Sequence, residues 1–421
     1  MVGITNKDYS NKKIGFQIIL NRIVNVFFLL IFQICGLIYA QNKHPIVLVH
    51  GFMGWGREEM GSYRYWGGKF DLEQYLIDEG YTVFTASVGP VSSNWDRAVE
   101  LYYQIKGGQV DYGRTHSELF GLIRKPEGKK YAGIYPEWDD EHPVHLIGHS
   151  MGGQTVRMLE YLLKSTIVDS SGIKEESELM GKSNLGSIKS ITSISTPHNG
   201  TTLSDIVTTA IPFLQDFIAV AAVVGNSFYS FDLEHWRFKR TKDESWSNYF
   251  RRMREHPAWG TENIVAWDAS VEGARQMNTF CIANPDIYYF SFVTSSTVLD
   301  SSSGRHIPDN NMTFIIRAHA RLIGMKKAFY SDGSSTDSTW FENDGIVSKI
   351  SMYGPTTGTN GADPIATYRE NELLIPGQWY VIGEYRSDHR KFIGHGVTPI
   401  EQDSMKKLFS DHMSLLWTLP E

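Results

Sequence analysis

Residues 144–153, with the sequence VHLIGHSMGG, constrain the fold of this chain more than any other stretch. The apolar run VHLI is typical of a buried parallel strand, and an amphipathic helix pattern follows over 155–162. Between them, residues 148–152 match G-x-S-x-G, in which Ser150 is exposed on a sharp strand-to-helix turn. Gly148 and Gly152 suit that turn because larger side chains would crowd the serine. An ordinary glycine turn is the alternative, and the predicted strand and helix on either side argue against it.

Strand and helix patterns alternate along the rest of the chain. They predict an α/β fold in which a mostly parallel sheet carries helices on both faces. Strands are predicted at 46–50, 81–86, 144–147, 188–194, 287–293 and 379–382. Helices are predicted at 71–79, capped by Asp71, at 95–106, capped by Asn94, and at 403–417.

The first forty residues resemble a secretory signal peptide, because basic residues precede an apolar run over 23–40. We expect cleavage after Ala40, a secreted protein, and one domain over 41–421. An uncleaved signal anchor in a membrane is the alternative, since the run approaches the length of a membrane span.

The net charge of −7 argues against a nucleic-acid partner. Only Cys281 lies beyond the signal segment, so an internal disulfide is excluded.

Residues 203–231 are unusually apolar, with hydrophobic side chains at helical spacing and a helix-breaking Pro212. Such a stripe is typical of a buried core helix. It is equally consistent with a mobile lid over Ser150 that exposes its apolar face at a lipid surface. The lid interpretation is favoured by position, because the stretch follows a loop at the carboxyl end of a predicted strand, where such folds bind ligands.

A serine hydroxyl becomes a good nucleophile only when a histidine removes its proton and a carboxylate orients that histidine. In folds with this turn the partners follow in the order serine, acid, histidine. Asp344, in the turn sequence ENDGIV, is the candidate acid. Weaker candidates lie in other loops, at Asp332, Asp337 and Asp363.

The candidate base is His389, which lies in a late loop after the strand predicted at 379–382. His395 is the alternative, and we expect His412 on the exposed face of the last helix. Acyl transfer also needs N–H donors for the developing oxyanion. We expect them from the backbone of Met151, directly after the serine, and of Phe52, in the glycine-rich loop after the first strand.

Long motifs along the chain carry a family resemblance. They are HPIVLVHGFMGWGREEM, YWGG, VGPVSSNWDRAVELYYQIKGGQVDYG, HLIGHSMGGQT, STPHNGTTL, ENDGIVS and SDHRKFIG. From about residue 44 to the C-terminus the chain resembles the secreted lipases of staphylococci and of Geobacillus-type bacilli. The resemblance implies an α/β-hydrolase fold with a helical lid. It also implies Ser150 as nucleophile, Asp344 and His389 as its partners, and oxyanion amides from Phe52 and Met151.

The resemblance also implies a zinc site, which this chain matches only in part. Asp96 and His116 match, but Leu122 stands where the family has a second histidine, and Glu234 stands where it has an aspartate. His235 is a substitute ligand only if the local backbone differs. Structural zinc is usually held by four ligands. A structural zinc and a hydrogen-bonded carboxylate–histidine cluster therefore both stay open.

The family's calcium site uses acidic residues shortly after the catalytic histidine. Residues 390–397 contain no carboxylate, and calcium requires several oxygen ligands, usually including Asp or Glu. We therefore expect no calcium, and Lys391 suggests the hypothesis that its ammonium supplies the positive charge instead.

These observations predict a triacylglycerol lipase that cleaves acylglycerol esters through an acyl-enzyme, with no cofactor needed for the chemistry. Its expected partner is a lipid ester at an oil–water or membrane interface, and the expected state is a monomer or a weak oligomer. A phospholipase A or a broad carboxylesterase would use the same machinery. An alternative of another class is a lipid-binding protein, anchored by residues 23–40, with a vestigial site.

Overall fold

The computed structural model describes residues 42–168, 171–175, 177–180, 187–203, 234–237, 241, 243–256, 261–355 and 363–420. The described residues fall into two compact units, 44–411, and 42–43 with 412–420. Two predictions lie outside these ranges: the signal segment 1–40, and the lid at 203–231 except for Leu203. No helix among the described residues combines the length and the apolar composition needed to cross a bilayer.

Eleven strands occur in the described ranges. They are β1 (Ile46–Val49), β2 (Val83–Ala86), β3 (Gly108–Gln109), β4 (Lys130–Tyr131), β5 (Val144–His149), β6 (Ile188–Ile194), β7 (Tyr288–Thr294), β8 (Thr297–Asp300), β9 (Arg305–Pro308), β10 (Ile365–Thr367) and β11 (Trp379–Tyr385). One sheet has the order β10-β11-β7-β6-β5-β1-β2, and all its neighbouring strands run parallel. Two antiparallel pairs, β3–β4 and β8–β9, lie apart from it.

The α-helices of the described ranges connect these strands. They are α1 (Leu72–Asp78), α2 (Asn94–Lys106), α3 (Arg114–Phe120), α4 (Met151–Lys164), α5 (Trp246–Arg254), α6 (Val265–Asp268), α7 (Val271–Asn278), α8 (Arg317–Ile323) and α9 (Pro399–Trp417). Short 3-10 helices cover Glu234–Trp236, Phe314–Ile316, Ser338–Trp340, Lys349–Ser351 and Lys391–Ile393. The predicted α/β architecture with a parallel sheet is confirmed.

The strand predicted before Ser150 lies in the interior of the sheet. β5 pairs with β1 on one side and β6 on the other, and all its residues are buried. Its apolar residues Val144, Leu146 and Ile147 match this position, because a parallel strand is covered on both faces. From its end the chain enters α4, which packs against α2 and buries Leu159 and Leu162 completely.

Two details of the helices differ from the predictions. Asp71 caps α1 as predicted, by accepting a hydrogen bond from the Gln74 amide at 3.0 Å. The cap of α2, however, is Ser93 and not Asn94. The Asn94 side chain is buried and donates to Gln154 of α4 instead, so packing between helices overrides its capping preference.

His412 was expected on the exposed face of the last helix, and that expectation is wrong. Its side chain is buried, on the same helical stripe as buried Leu416, four residues later. Burial lowers the pKa of this imidazole to about 3, so His412 is neutral at pH 7. In the same unit the Asn42 amide donates to the carbonyls of Leu416 and Leu419 at 2.9 and 2.8 Å.

Leu159→Ala should destabilise the protein by about 2–5 kcal/mol, because it leaves a cavity in a fully buried position of α4. Urea unfolding at equilibrium measures the change. The matched control is Leu119→Ala, whose side chain is 73% exposed and should cost under about 0.5 kcal/mol. Equal losses from the two variants would contradict the assignment of α4 to the core.

Candidate active site

Ser150 occupies a strained backbone position between β5 and α4. Its φ of 57° and ψ of −129° lie outside the regions that non-glycine residues usually adopt. Glycines permit the turn: a Cβ on Gly148 would lie 2.2 Å from the carbonyl carbon of Gly152. A Cβ on Gly152 would in turn lie 2.3 Å from the carbonyl oxygen of Val49. The glycines therefore let the two sides of the turn and the neighbouring strand β1 approach each other closely.

The predicted base and acid are in direct contact. His389 Nδ1 lies 2.8 Å from Asp344 Oδ2, and the His389 amide donates to the Asp344 carbonyl at 3.0 Å. A carboxylate accepts hydrogen bonds, so Nδ1 carries the proton in this pair. The lone pair of Nε2 is then available to accept a proton. The carboxylate thus holds the imidazole in the tautomer that a general base needs.

Asp344 is fully buried, and its two oxygens accept further hydrogen bonds. Oδ1 accepts from the amides of Ile346 and Val347 at 3.0 and 2.9 Å. Oδ2 accepts from the hydroxyl of Thr294, the last residue of β7, at 2.8 Å. These donors compensate the burial of a charged carboxylate. Thr294 was not among the predicted residues, because it lies 50 positions away and belongs to no motif.

His149 places the histidine loop beside the nucleophile. This residue directly precedes Ser150, and its ring centre lies 4.6 Å from that of His389. Its Nε2 lies 3.0 Å from the His389 carbonyl oxygen. Asp344 and His389 are therefore joined directly, and His149 holds the His389 loop against the turn that carries Ser150.

A chain of hydrogen bonds continues from His149 to the glycine-rich loop after β1. The Tyr65 hydroxyl lies 2.7 Å from His149 Nδ1 and accepts from the Gly51 amide at 2.8 Å. Since Nε2 of His149 faces a carbonyl, it carries the proton, and the Tyr65 hydroxyl donates to Nδ1. Burial lowers the pKa of His149 well below its usual range, which matches a neutral ring.

Both predicted oxyanion donors lie on segments that meet at Ser150. Met151 is the first residue of α4, so its N–H has no acceptor within the helix. Phe52 follows Gly51, where an added Cβ would lie 2.6 Å from the Cβ of Ser150. The side chain of Phe52 is partly exposed, whereas that of Met151 is buried.

The alternative base, His395, makes its hydrogen bonds to the loop of Tyr63 and Tyr65. Nε2 of His395 lies 2.7 Å from the Tyr65 carbonyl, and Nδ1 lies 2.9 Å from the Tyr63 hydroxyl. Burial lowers the pKa of this histidine to about 4. His395 therefore supports the loop of Tyr63 and Tyr65 and does not pair with Asp344.

The alternative acids also have other partners. Asp332 forms an ion pair with Arg275 at 2.6 Å on the surface, and Asp337 caps the 3-10 helix at Ser338. Asp363 is buried and accepts from the Ala283 amide at 3.3 Å.

At the partly matched zinc position Asp96 is hydrogen-bonded to His116, and His235 lies beside the same carboxylate without a hydrogen bond from its Nε2. Oδ1 of Asp96 lies 2.9 Å from His116 Nε2, while Oδ2 lies 3.2 Å from His235 Nε2 and accepts from Asn263 at 2.9 Å. His235, the residue after the predicted ligand Glu234, is the one that reaches Asp96. Burial opposes ionisation of Asp96, but the two histidines outweigh it and lower the pKa of the carboxyl below its usual range.

This donor set does not fit zinc. Two tetrahedral ligands at about 2.1 Å from the metal lie about 3.4 Å apart, farther than the 2.9 Å between Asp96 and His116. Leu122 is buried in an apolar cluster with Met151 and Trp236, so it supplies no ligand. The described residues contain no group of three or more His, Cys, Asp or Glu arranged to hold a metal.

Hydrogen-bond donors surround the carboxylate of the residue directly before His389. Asp388 is buried, and its Oδ2 accepts from the amide and the hydroxyl of Thr313, each at 2.7 Å. Its Oδ1 accepts from the amides of Arg390 and Lys391 at 2.9 Å. A carboxylate satisfied by four donors does not fit calcium, which needs free oxygen lone pairs.

The hypothesis that the Lys391 ammonium supplies the positive charge of calcium stays a prediction. That ammonium forms an ion pair with Glu401 at 3.0 Å. The Lys391 backbone amide contacts Asp388 instead. Asp388 therefore links the His389 loop to Thr313 through neutral donors and not through a side-chain cation.

Comparison with known proteins identifies a matching family and close structural neighbours. The family described as "Lipase-like, C-terminal domain" matches residues 42–412. A lipase of Staphylococcus hyicus is 39% identical over 379 residues, which cover 87% of this chain and 56% of that protein. The chain therefore spans about half the length of the curated relatives it matches.

Two solved structures cover nearly the whole chain. EstA from Clostridium botulinum has a TM-score of 0.79 and 38% identity, covering 90% of this chain and 88% of EstA. The S. hyicus lipase structure has a TM-score of 0.78 and 36% identity, covering 90% of this chain and 97% of that structure.

Tyr65→Phe should slow labelling of Ser150 by a fluorophosphonate, which reacts with activated serines, by at least about tenfold. The variant loses the hydroxyl that joins Gly51 to His149, so the serine turn and the His389 loop lose a common support. The labelling rate is measured by quenching the reaction at successive times and quantifying the labelled protein. Tyr63→Phe is the matched control, because its hydroxyl contacts His395 instead. Equal rates for both variants would show that the Tyr65 hydroxyl does not position the site.

Proposed function

Because this chain belongs to the lipase-like C-terminal domain family and is similar to the S. hyicus lipase, we propose that it is a triacylglycerol lipase. Its fold is that of the α/β-hydrolases. One observation carries the catalytic part of the proposal. A serine on a strained strand-to-helix turn follows a histidine whose ring contacts a second histidine, and that second histidine is bound to a buried carboxylate.

The proposed reaction uses these groups in two half-reactions. His389 Nε2 accepts the proton of Ser150 as the serine oxygen attacks the ester carbonyl carbon. The negative charge on the carbonyl oxygen is stabilised by the amides of Met151 and Phe52. His389 then donates its proton to the departing alcohol, which leaves an acyl-enzyme. Water, activated by the same histidine, releases the carboxylic acid and restores the serine.

The acylglycerol substrate class is supported by the relatives and by composition. The matching proteins are named lipases, at 37–39% identity over most of the chain. The apolar stretch 203–231 is suited to contact with a lipid surface, although it lies outside the described residues apart from Leu203. We also propose that the protein is secreted, that it is a monomer or a weak oligomer, and that it acts at an oil–water or membrane interface.

A phospholipase A or a carboxylesterase would share this chemistry and differ in the pockets for the acyl chain and headgroup. Hydrolysis rates on triolein, lecithin and short nitrophenyl esters distinguish the three. The lipid-binding alternative predicts no turnover on any of them and no labelling by a fluorophosphonate.

Ser150→Ala should lower hydrolysis of triolein and of nitrophenyl butyrate at least about 1,000-fold and abolish fluorophosphonate labelling, because it removes the attacking oxygen. Ser404→Ala, at an exposed position of α9, is the matched control and should keep the wild-type rates. Circular dichroism verifies that both variants are folded. Near-normal turnover by Ser150→Ala would remove the assignment of the nucleophile.

Excess EDTA should leave both the melting temperature and the rate on nitrophenyl butyrate unchanged, because the Asp96 and Asp388 carboxylates are satisfied by protein donors. A metal present at 1,000 times its Kd would stabilise the protein by about 4 kcal/mol, which a thermal melt detects easily. Restoration of a higher melting point by added calcium or zinc would contradict the proposal that the enzyme works without either metal.

A further inference from the structure

Residues 314–327 present a run of exposed apolar side chains beside the candidate active site. Phe314 is 86% exposed, Ile315 57%, Leu322 39% and Met325 45%. Single exposed hydrophobic residues are ordinary on a protein surface. Four of them within twelve positions are not ordinary, since contiguous apolar patches commonly mark contact with a protein, a ligand or a lipid.

The spacing of these residues explains why they remain outside. Ile316, Ala320 and Ile323 are buried and form the inward stripe of the 3-10 turn and α8. Ile316 and Ala320 belong to a cluster that Ile346 covers. Phe314 and Ile315 in the 3-10 turn, Leu322 in α8 and Met325 just after the helix instead face solvent. The segment therefore carries two sets of apolar side chains. One set is buried in the cluster that Ile346 covers, and the other set is exposed.

The charge of the segment is unlike that of the chain. Residues 314–330 contain Arg317, Arg321, Lys326 and Lys327 and no Asp or Glu, whereas the chain carries a net charge of −7. The Arg317 guanidinium is used internally, because it donates to the Asp309 carbonyl at 2.7 Å. The other three cations, Arg321, Lys326 and Lys327, are on exposed residues next to the exposed Leu322 and Met325 in sequence.

The same segment is packed against both loops of the candidate active site. An added Cβ on Gly345, the residue after Asp344, would lie 2.7 Å from Ile316 Cδ1. Thr313, directly before Phe314, binds Asp388, the residue before His389. A surface that docked through this segment would therefore lie close to the catalytic loops.

We propose that the basic ridge, formed by Phe314, Ile315, Leu322, Met325, Arg321, Lys326 and Lys327, docks the enzyme on an anionic lipid–water interface. The occupant is the surface of an acylglycerol droplet that carries fatty-acid carboxylates. Apolar side chains enter the acyl region, and the cations meet the carboxylates at the boundary. The inference rests on the proposed lipase function and goes beyond it.

The proposed reaction itself supplies this negative charge. Ester and water give an alcohol and a carboxylic acid, and the acid ionises and stays at the interface because of its acyl chain. Each turnover then adds charge that attracts the ridge. Binding should strengthen as product accumulates, which makes the first molecules of product an activator of adsorption.

The test measures adsorption without turnover. The full chain with Ser150→Ala is mixed with triolein droplets, with or without oleate, and the bound fraction is measured after flotation. Adding Arg321→Glu, Lys326→Glu and Lys327→Glu should lower the partition coefficient on oleate droplets at least about 100-fold, and added salt should weaken the binding of the parent protein. On oleate-free droplets the same change should be small.

Phe314→Ser with Ile315→Ser should reduce adsorption to both kinds of droplet at least about tenfold, because the apolar contact is lost. Arg369→Glu with Leu373→Ser is the matched control, since Arg369 is exposed and Leu373 is 84% exposed at another site. With Ser150 restored, all variants should cleave soluble nitrophenyl butyrate at the wild-type rate.

Equal adsorption of ridge and control variants would overturn the proposal. So would tight binding to phosphatidylglycerol vesicles without binding to oleate droplets, or a dimer in sedimentation that Phe314→Ser and Ile315→Ser dissociate. If the wild-type protein fails to cleave esters, the proposed function fails, while the adsorption result with Ser150→Ala still decides the role of the ridge.

Discussion

The close approach of three backbone segments at Ser150 is the constraint on which the rest of the site depends. β5 is followed by Ser150, whose φ is 57°, and the chain reverses into α4 within one turn. The reversal is possible because Gly148, Gly152 and Gly51 have no Cβ where other backbone or Ser150 itself already lies. Such strain persists only where the surroundings determine it, and here β1 and β6 hold the strand on both sides.

Around this turn, the loops are held by buried hydrogen bonds from distant parts of the chain. Tyr65 and His149 connect the glycine-rich loop to the His389 carbonyl, and Thr294 supports Asp344 from the end of β7. Asp388 gives its loop a further support through Thr313. Residues 390–397, where the resemblance implies calcium ligands, contain no carboxylate, and the adjacent Asp388 is bound by neutral amides and a hydroxyl. At the implied zinc position the carboxylate of Asp96 is hydrogen-bonded directly to His116 and Asn263. In both places hydrogen bonds compensate the burial of a carboxylate, which would otherwise destabilise the folded protein.

Much of the framework could be predicted from the sequence, because its signals are local. The strand predicted at 46–50 is observed at Ile46–Val49, and the strand at 188–194 and the Asp71 cap are confirmed. The predicted acid and base, Asp344 and His389, are in hydrogen-bond contact. Predictions based on isolated side chains did less well. Asn94 was expected to cap a helix and instead packs between helices, and His412 was expected outside and is buried. In both cases the surroundings that decide the outcome are not encoded in the neighbouring residues.

The sequence by itself determined the alternation of strands and helices and the chain order of Ser150, Asp344 and His389, because hydrophobic periodicity and turn motifs act over a few residues. Only the tertiary structure decided which groups support them. The partners of His149, Asp344 and Asp388 lie 84, 50 and 75 residues away along the chain. Which of many Tyr and Thr hydroxyls meets a buried polar atom depends on how the loops fold together, and no local pattern carries that information.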